Sequence, residues 1–188
     1  ATTASTVVGS DEPPSFTQGG RGYNQAVACA RLGIATHLVA KIGNDLLARR
    51  VIEDVFEEVT QRMPLDVTSV LRAKEKEAKT GVSLILIGEG PGKGQSLSIP
   101  CLGANMLMGE REISVASRLI DKSALVTASA SNGFNAGDDD QRIGQCLLQL
   151  EIPIEVNRRV ALHALKHGCF VGLKTSPLSA DSAGELRT

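Results

Sequence analysis

Residues 19–26 read Gly-Gly-Arg-Gly-Tyr-Asn-Gln-Ala, a glycine cluster that leads directly into a predicted helix. Glycine has no Cβ atom, so three glycines in four positions let the backbone turn tightly and approach a ligand closely. The first N–H groups of a helix have no partner inside the helix, and they point back toward the turn that precedes it. A polar or phosphorylated small molecule would suit such a turn. On spacing alone, however, a plain turn before a helix is the default interpretation.

On either side of this turn the sequence alternates between β-rich and helical patterns. Strands are predicted at 6–9, 36–42, 67–72, 80–87, 95–99, 146–150 and 170–173. Helices are predicted at 24–32, 46–59, 110–120 and 153–167. Such alternation predicts an α/β fold with a parallel sheet between layers of helices. No helix separates the strands at 80–87 and 95–99, so we expect them to form a hairpin that stands off this sheet.

The composition predicts a soluble, cytoplasmic protein, with a plastid location left open. The chain has 188 residues, a net charge of −1 and 42% hydrophobic residues, which suits one domain or part of a larger one. Lys and Arg are scattered, and aromatic residues make up only 3% with no Trp, so we expect no nucleic-acid partner. The sequence contains neither an apolar run long enough to span a membrane nor a secretory signal.

Cysteine and histidine spacing gives no metal site. Cys29, Cys101, Cys146 and Cys169 form no Cys-x-x-Cys pair, and we expect reduced, buried or half-buried thiols. His163 and His167 lie four positions apart on a predicted helix and could share a metal ion. Neither has an acidic residue at the spacing of a zinc protease, so a solvated helix face is the favoured interpretation.

Two other stretches imitate functional motifs. Residues 88–96 are rich in glycine, but Lys93 is followed by Gly94 and the flanking segments are strands, so a hairpin turn is favoured over a phosphate-binding loop. Residues 135–140 contain three adjacent aspartates without a spaced set of further ligands, so a solvated loop is favoured there.

Taken in order, the motifs of this chain resemble those of the pfkB (ribokinase) family of carbohydrate kinases, with ribokinase proper as the nearest branch. The matching segments are Val7–Ser10, Gly19–Ala28, Ala30–Gly33, Lys41–Asp45, Thr80–Ile85, Gly103–Asn105 and Gln149–Pro153. The resemblance covers most of residues 5–180. It implies a ribokinase-like, three-layer parallel sheet with a small β-hairpin lid at about 80–99.

The resemblance also implies which residues bind substrate. In the family the glycine loop and its Asn contact sugar hydroxyls, which corresponds here to Gly19, Gly20 and Asn24, with Arg21 in the place of the family's Lys. The Glu of the Gln-Leu-Glu segment corresponds to Glu151. Amide and carboxylate groups suit a polyol, and a site built from them rejects analogues that lack a hydroxyl. For Glu151 the alternative is a carboxylate that only stabilises a helix N-terminus.

The chain departs from the family pattern at several places. Tyr23 replaces a small residue and could crowd the pocket, and Asp11 is a doubtful remnant of the family's sugar-binding Asn-x-Asp pair. Residues 126–145 are predicted to be an insertion. The family's catalytic Gly-Ala-Gly-Asp motif does not occur, and Ala136-Gly137-Asp138 precedes Glu151 and is not accepted as its substitute. No catalytic residue is therefore assigned, and we expect the sequence to stop before the ATP-binding and catalytic part of the fold.

These observations lead to one main functional expectation and two alternatives. The parent activity implied by the resemblance is ATP- and Mg²⁺-dependent phosphorylation of a pentose, ribose, with a monovalent cation as a further cofactor. The sites for these cofactors would lie mostly outside this chain, which alone is expected to be inactive. One alternative is a noncatalytic dimerising or regulatory module that pairs through its lid strands. The other is a specificity for fructose or adenosine.

Overall fold

The computed structural model of the chain describes residues 3–8, 15–50, 57–76, 78–87, 96–130 and 144–175. The chain divides into two compact units, Ala1–Leu107 and Met108–Thr188, and each is described by itself. The strands are β1 Thr3–Val8, β2 Ser15–Gly19, β3 Thr36–His37, β4 Ala40–Ile42, β5 Leu65–Asp66, β6 Val70–Arg72, β7 Gly81–Ile87, β8 Ser96–Cys101, β9 Gln145–Gln149 and β10 Phe170–Lys174. The helices are α1 Arg21–Arg31, α2 Leu46–Arg50, α3 Glu57–Arg62, α4 Glu110–Ala130, α5 Ile154–Lys166 and a 3-10 helix, Gly103–Leu107.

The first unit contains a four-stranded mixed sheet in the order β2-β1-β7-β8. Strands β7 and β8 pair antiparallel, with Val82 opposite Cys101, as the predicted hairpin requires. The hairpin does not stand alone, because β1 runs parallel to β7 and β2 runs antiparallel to β1. A two-stranded hairpin is marginally stable in water, and the added strands satisfy the free edge of β7. We refer to these four strands as the lid sheet.

The remainder of the first unit packs α1 against two short parallel strand pairs. Strand β3 pairs with β5, and β4 pairs with β6. The single strand predicted at 36–42 is thus interrupted, because its partner turns between the two pairs, where the Val70 N–H donates to the Val67 carbonyl. The buried core of this region consists of Tyr23, Ala26, Ala30, Leu38, Ala40 and Leu65.

The helix predicted at 46–59 is described in two parts, α2 and α3, and residues 51–56 between them lie outside the described residues. Val59 of α3 is partly buried against the core of the first unit. Helix α1 is closed by Gly33, which follows the C-cap Leu32, has a φ of 80° and donates its N–H to the Ala30 carbonyl.

The second unit contains the long helix α4 and a β9-α5-β10 segment. Strands β9 and β10 are parallel, with Gly172 opposite Leu147. Helix α4 runs to Ala130, beyond the predicted end at residue 120 and into the predicted insertion at 126–145. At its start the Gly109 N–H donates to a carboxylate oxygen of the buried Glu112 at 2.8 Å, which is the Glu half of a capping box. Strand β9 is only partly buried, and Leu147 is exposed.

Two turns of the first unit close tightly on residues 78–80, immediately before β7. The Asn44 N–H donates to the Ala78 carbonyl at 2.8 Å, and the Ala104 N–H donates to the Lys79 carbonyl at 2.8 Å. A Cβ atom at Gly43 would lie 2.3 Å from the Thr80 nitrogen, and one at Gly103 would lie 2.5 Å from the Lys79 oxygen. Glycine is therefore required at both turns by the close approach of backbone to backbone.

Gly103→Ala should test this close approach, with Gly33→Ala as its matched control. Both glycines have positive φ values, 51° at Gly103 and 80° at Gly33, but a Cβ atom at Gly33 would contact nothing within 4 Å. We expect Gly33→Ala to cost about 1 kcal/mol from backbone conformation alone. Gly103→Ala should cost about 1–3 kcal/mol more, because backbone must move to relieve the clash.

Urea unfolding of the two variants and the unsubstituted chain gives the comparison. Equal losses in the free energy of unfolding would show that the contact between Gly103 and Lys79 does not constrain the fold.

Candidate functional site

The glycine turn joins the lid sheet to the first helix. Gly19 ends β2, and Gly20 adopts a φ of 99° as the N-cap of α1, which begins at Arg21, three residues earlier than predicted. The Asn24 N–H donates to the Gly20 carbonyl at 2.9 Å and so closes the first helical turn. No side chain caps this helix, and its first turn contains no acidic residue. The helix therefore begins at a residue that has no side chain to accept from its first N–H groups.

The side chains of the first turn of α1 point in different directions. Tyr23 is buried in the core of the first unit, whereas Asn24 is exposed and Arg21 is half-buried. The expectation that Tyr23 crowds a sugar pocket is therefore wrong, because its ring packs with Ala26 and Leu38 in the core. The phenol supplies apolar contact area to a core that is otherwise built largely from alanine.

Glu151 lies in the second unit, just after β9 ends at Gln149. Its side chain is buried, as are those of Gln149 and Asn157. The Asn157 amide of α5 donates to the Gln149 carbonyl at 2.7 Å, which fixes the end of β9 against the first turn of the helix. Glu151 therefore lies at the carboxyl end of a parallel strand, where open α/β sheets bind their ligands. The glycine turn belongs to the first unit, and Glu151 belongs to the second.

The sequence motif Gly43-Asn44-Asp45 forms an anchor for the lid sheet. The Asp45 carboxylate accepts hydrogen bonds from the Thr80 N–H at 2.8 Å, the Thr80 hydroxyl at 2.7 Å and the Ala48 N–H at 2.9 Å. The Thr80 hydroxyl in turn accepts from the Gly43 N–H at 3.1 Å. Asp45 thus caps α2 and holds the residue that precedes β7. We call Gly43, Asp45 and Thr80 the lid anchor.

These contacts explain the ionisation of Asp45. Burial alone would raise its pKa, but the hydrogen bonds from Thr80 and Ala48 stabilise the carboxylate more strongly, and the pKa is lowered. Asp66 has a lowered pKa for a related reason, since hydrogen bonds from Thr68 and the charge of His37 outweigh its partial burial. The His37 Nδ1 atom lies 3.0 Å from the Asp66 carboxylate.

Cysteine and histidine environments differ in part from expectation. The four thiols are free, as expected, but Cys101 is exposed rather than buried. Burial and the nearby Cys169 raise the pKa of Cys146 to about 11, so this thiol is a weak nucleophile at neutral pH. The interpretation of His163 and His167 as a solvated helix face is only partly right, because both rings are half-buried and lie beside Asp121 of α4.

Three of the sequence interpretations lie outside the described residues. They concern Asp11, the glycine-rich residues 88–95 and the aspartates at 138–140. Within the described residues, no helix is long and apolar enough to cross a membrane.

Comparison with known proteins identifies the family. Residues 4–180 match the model of the pfkB family of carbohydrate kinases, and the chain belongs to that family. The chain is 29% identical over 162 residues to a ribokinase of Staphylococcus aureus, a match that covers 86% of this chain and 43% of that protein. It is 26% identical over 108 residues to a ribokinase of Mus musculus, covering 57% of this chain and 30% of the relative. The chain thus spans less than half the length of either relative.

Solved structures confirm the ribokinase-like α/β fold. The structure of ribokinase from Giardia lamblia has a TM-score of 0.67 at 16% identity, covering 96% of this chain and 50% of that one. The structure of Arabidopsis thaliana ribokinase complexed with ribose and ATP has a TM-score of 0.63 at 20% identity, covering 92% of this chain and 50% of that one. At these identities the likeness establishes the fold.

Replacing Asp45 should give a pH-dependent loss of stability. The folded pKa of Asp45 is lowered, so its stabilisation is fully present above the unfolded value of about 3.9 and is lost as the pH falls through the folded pKa. We expect Asp45→Asn to cost about 1–2 kcal/mol at pH 7, because hydrogen bonds to a charged acceptor are weakened. The cost should shrink below about pH 4.

Urea unfolding between about pH 7 and pH 3 measures this difference. Glu75→Gln, which neutralises an exposed carboxylate, should change the free energy of unfolding by less than about 0.5 kcal/mol. A cost for Asp45→Asn that does not vary with pH would contradict the role of the charge.

Proposed function

We propose that the chain carries the sugar-recognition part of an ATP-dependent ribokinase, and that it binds ribose. The observation that carries this proposal is the glycine turn, where Gly20 at a φ of 99° opens a helix without a side-chain cap and Asn24 is exposed in its first turn. The relatives from Staphylococcus aureus and Mus musculus are both ribokinases, which supports this sugar over fructose or adenosine. A cytoplasmic location is part of the same proposal.

The proposed roles follow from hydrogen-bonding capacity. Gly19 and Gly20 bring backbone close to the sugar, and the N–H groups of the first helical turn donate to its oxygens. The Asn24 amide both donates and accepts, which matches a hydroxyl, and Glu151 accepts from hydroxyls. Arg21 can only donate, and its planar guanidinium is not equivalent to the ammonium of Lys.

ATP and Mg²⁺ belong to the proposed reaction through the family. A family kinase draws its phosphoryl group from ATP, and bound cations neutralise the charge that develops during transfer. None of the described residues is assigned to ATP or to a metal ion of that reaction. No step of the transfer is therefore ascribed to them, and the proposed part played by this chain is sugar binding.

Asn24→Ala should weaken ribose binding without unfolding the chain. Asn24 is exposed, so its removal costs little stability, while the loss of hydrogen bonds to a hydroxyl should lower the affinity about tenfold or more. Asn44→Ala is the matched control, because Asn44 is also exposed and its backbone N–H, which the substitution keeps, donates to the Ala78 carbonyl. Calorimetric titration with ribose should give equal affinities for Asn44→Ala and the unsubstituted chain.

Calorimetric titrations with fructose and with adenosine test the two alternative substrates. Tighter binding of fructose or adenosine than of ribose would replace the proposed sugar, and no binding of any of the three would overturn the proposal for this chain. With ATP, Mg²⁺ and ribose present, we expect the 188-residue chain to release no ADP above background. Turnover in that assay would disprove its proposed inactivity.

A second candidate function, self-association through the lid sheet, is favoured by the exposed face of β7 and β8. Alternate residues of a strand share one face of a sheet, and Leu86 pairs with Leu97 while Leu84 pairs with Ile99. Leu86, Leu97 and Ile99 are 38%, 58% and 43% exposed. Strand β8 is also an edge of the sheet among the described strands, so its outer backbone groups can pair with another strand. We propose a second copy of this chain as the partner.

Leu97→Asp should dissociate such a dimer, because it places a charge in the apolar face. Ser96→Asp is the matched control, since adjacent residues of a strand point to opposite faces and Ser96 is also exposed. Size-exclusion chromatography with light scattering should show a dimer for the unsubstituted chain and for Ser96→Asp, and a monomer for Leu97→Asp. A monomer in all three cases would rule out this association.

A further inference from the structure

In the second unit, one carboxylate and two imidazoles converge where α4 and α5 pack together. The Asp121 Oδ1 atom lies 2.8 Å from the His163 Nε2 atom and 3.4 Å from the His167 Nε2 atom. One ligand atom from each of the three residues lies within 4.8 Å of the others. Ligands bound at about 2.0–2.1 Å around a tetrahedral ion are separated by roughly 3.3 Å. The side chains are therefore arranged close to the geometry of three metal ligands.

The hydrogen bond at the other side of His167 orients its ring. The His167 Nδ1 atom lies 2.9 Å from the His163 carbonyl oxygen. A carbonyl can only accept, so Nδ1 carries a proton, and the neutral ring then presents the lone pair of Nε2 toward Asp121. Metal-bound histidines characteristically donate their second ring N–H to a carbonyl or carboxylate in this manner.

A cation would remove an unfavourable contact between the His167 ring and the Asp121 carboxylate. With its lone pair on Nε2, a neutral His167 faces a carboxylate oxygen at 3.4 Å, and two acceptors at this distance repel. Either a proton on Nε2 or a metal ion between the two atoms converts the repulsion into attraction. His163 reaches the same oxygen from one helical turn away, because residues four apart share a helix face.

The exposure of the cluster suits an ion that enters from solvent. The side chains of His163 and His167 are 28% and 26% exposed, so packing restrains both rings. The Asp121 side chain is 48% exposed, which leaves an approach for the ion and room for water as a fourth ligand. Three protein ligands with one open position is a common arrangement for zinc.

We propose that Asp121, His163 and His167 bind a divalent transition-metal ion, for which Zn²⁺ is the probe, and that the ion ties α4 to α5. Imidazole nitrogen suits zinc and its neighbours, whereas Mg²⁺ prefers oxygen ligands. The site is independent of the proposed sugar binding and uses none of its residues. The metal ion would be a second connection between these helices, because Arg159 of α5 and Glu110 of α4 already form an ion pair.

The three histidines of the chain allow a direct test, because only His37 lies outside the cluster. Nitrogen-detected NMR of the imidazoles during addition of zinc chloride should shift the Nε2 signals of His163 and His167 and leave those of His37 unchanged. His37 is a matched reference, since it also contacts a carboxylate, that of Asp66, at 3.0 Å. Mg²⁺ should shift none of the three. Unchanged cluster signals with Zn²⁺, or equal shifts at His37, would overturn the proposal.

Calorimetry on variants gives a second measurement. The double variant His163→Gln/His167→Gln should bind Zn²⁺ at least tenfold more weakly than the unsubstituted chain, whereas His37→Gln should retain its affinity. The four cysteines are common to all three proteins, so their binding of zinc cancels in the comparison. Equal affinity in the double variant would show that the cluster is only a set of histidine–aspartate contacts.

Discussion

The first unit depends on the buried hydroxyl and backbone of Thr80. This residue precedes β7, and its polar groups are removed from solvent, so each must find a partner inside the protein. Asp45 supplies two acceptors and Gly43 supplies a donor, at distances between 2.7 and 3.1 Å. Asp45 also caps α2. One carboxylate thus fixes the start of a helix and the start of the lid strand together, and it can do so because its charge strengthens every bond it accepts.

The features of the fold that can be predicted from sequence are those that depend on local pattern. The alternation of strands and helices, the hairpin of β7 and β8, and the end of α1 at Gly33 all follow from short-range periodicity and glycine placement. Strand β2 is not evident from its residues, because Ser15–Gly19 contains no β-branched run beyond a single Thr. It exists through pairing with β1, a contact that no local pattern specifies. Helix α4 was likewise underestimated, since no Gly or Pro marks an end near residue 120.

The candidate sites, like the fold, can be predicted from sequence only where they depend on a local pattern. The glycine turn is visible in sequence because its chemistry lies in eight consecutive residues, and the structure adds that Gly20 has a positive φ of 99° there. The histidine pair is also visible, but its third member, Asp121, lies 42 positions before His163 on another helix. The role of Tyr23 was misjudged for the opposite reason, because a residue inside a binding motif points into the core. Which residues are neighbours in space, and in which direction a side chain points, depend on the tertiary structure and cannot be predicted from local sequence.

The lid sheet connects directly to the glycine turn, because β2 ends where the turn begins. Gly20 is the only residue between the end of β2 and the start of α1. A displacement of β2 must therefore reach the helix N–H groups through one residue that has unusual backbone freedom. At the same end of the sheet, two strands away, the lid anchor holds β7 at Thr80, since Thr3 of β1 pairs with both Gly19 and Gly81. The sheet is thus joined to the rest of the first unit both at the proposed sugar-binding turn and at Asp45, so pairing of β8 with another copy would act on a sheet that is continuous with that turn.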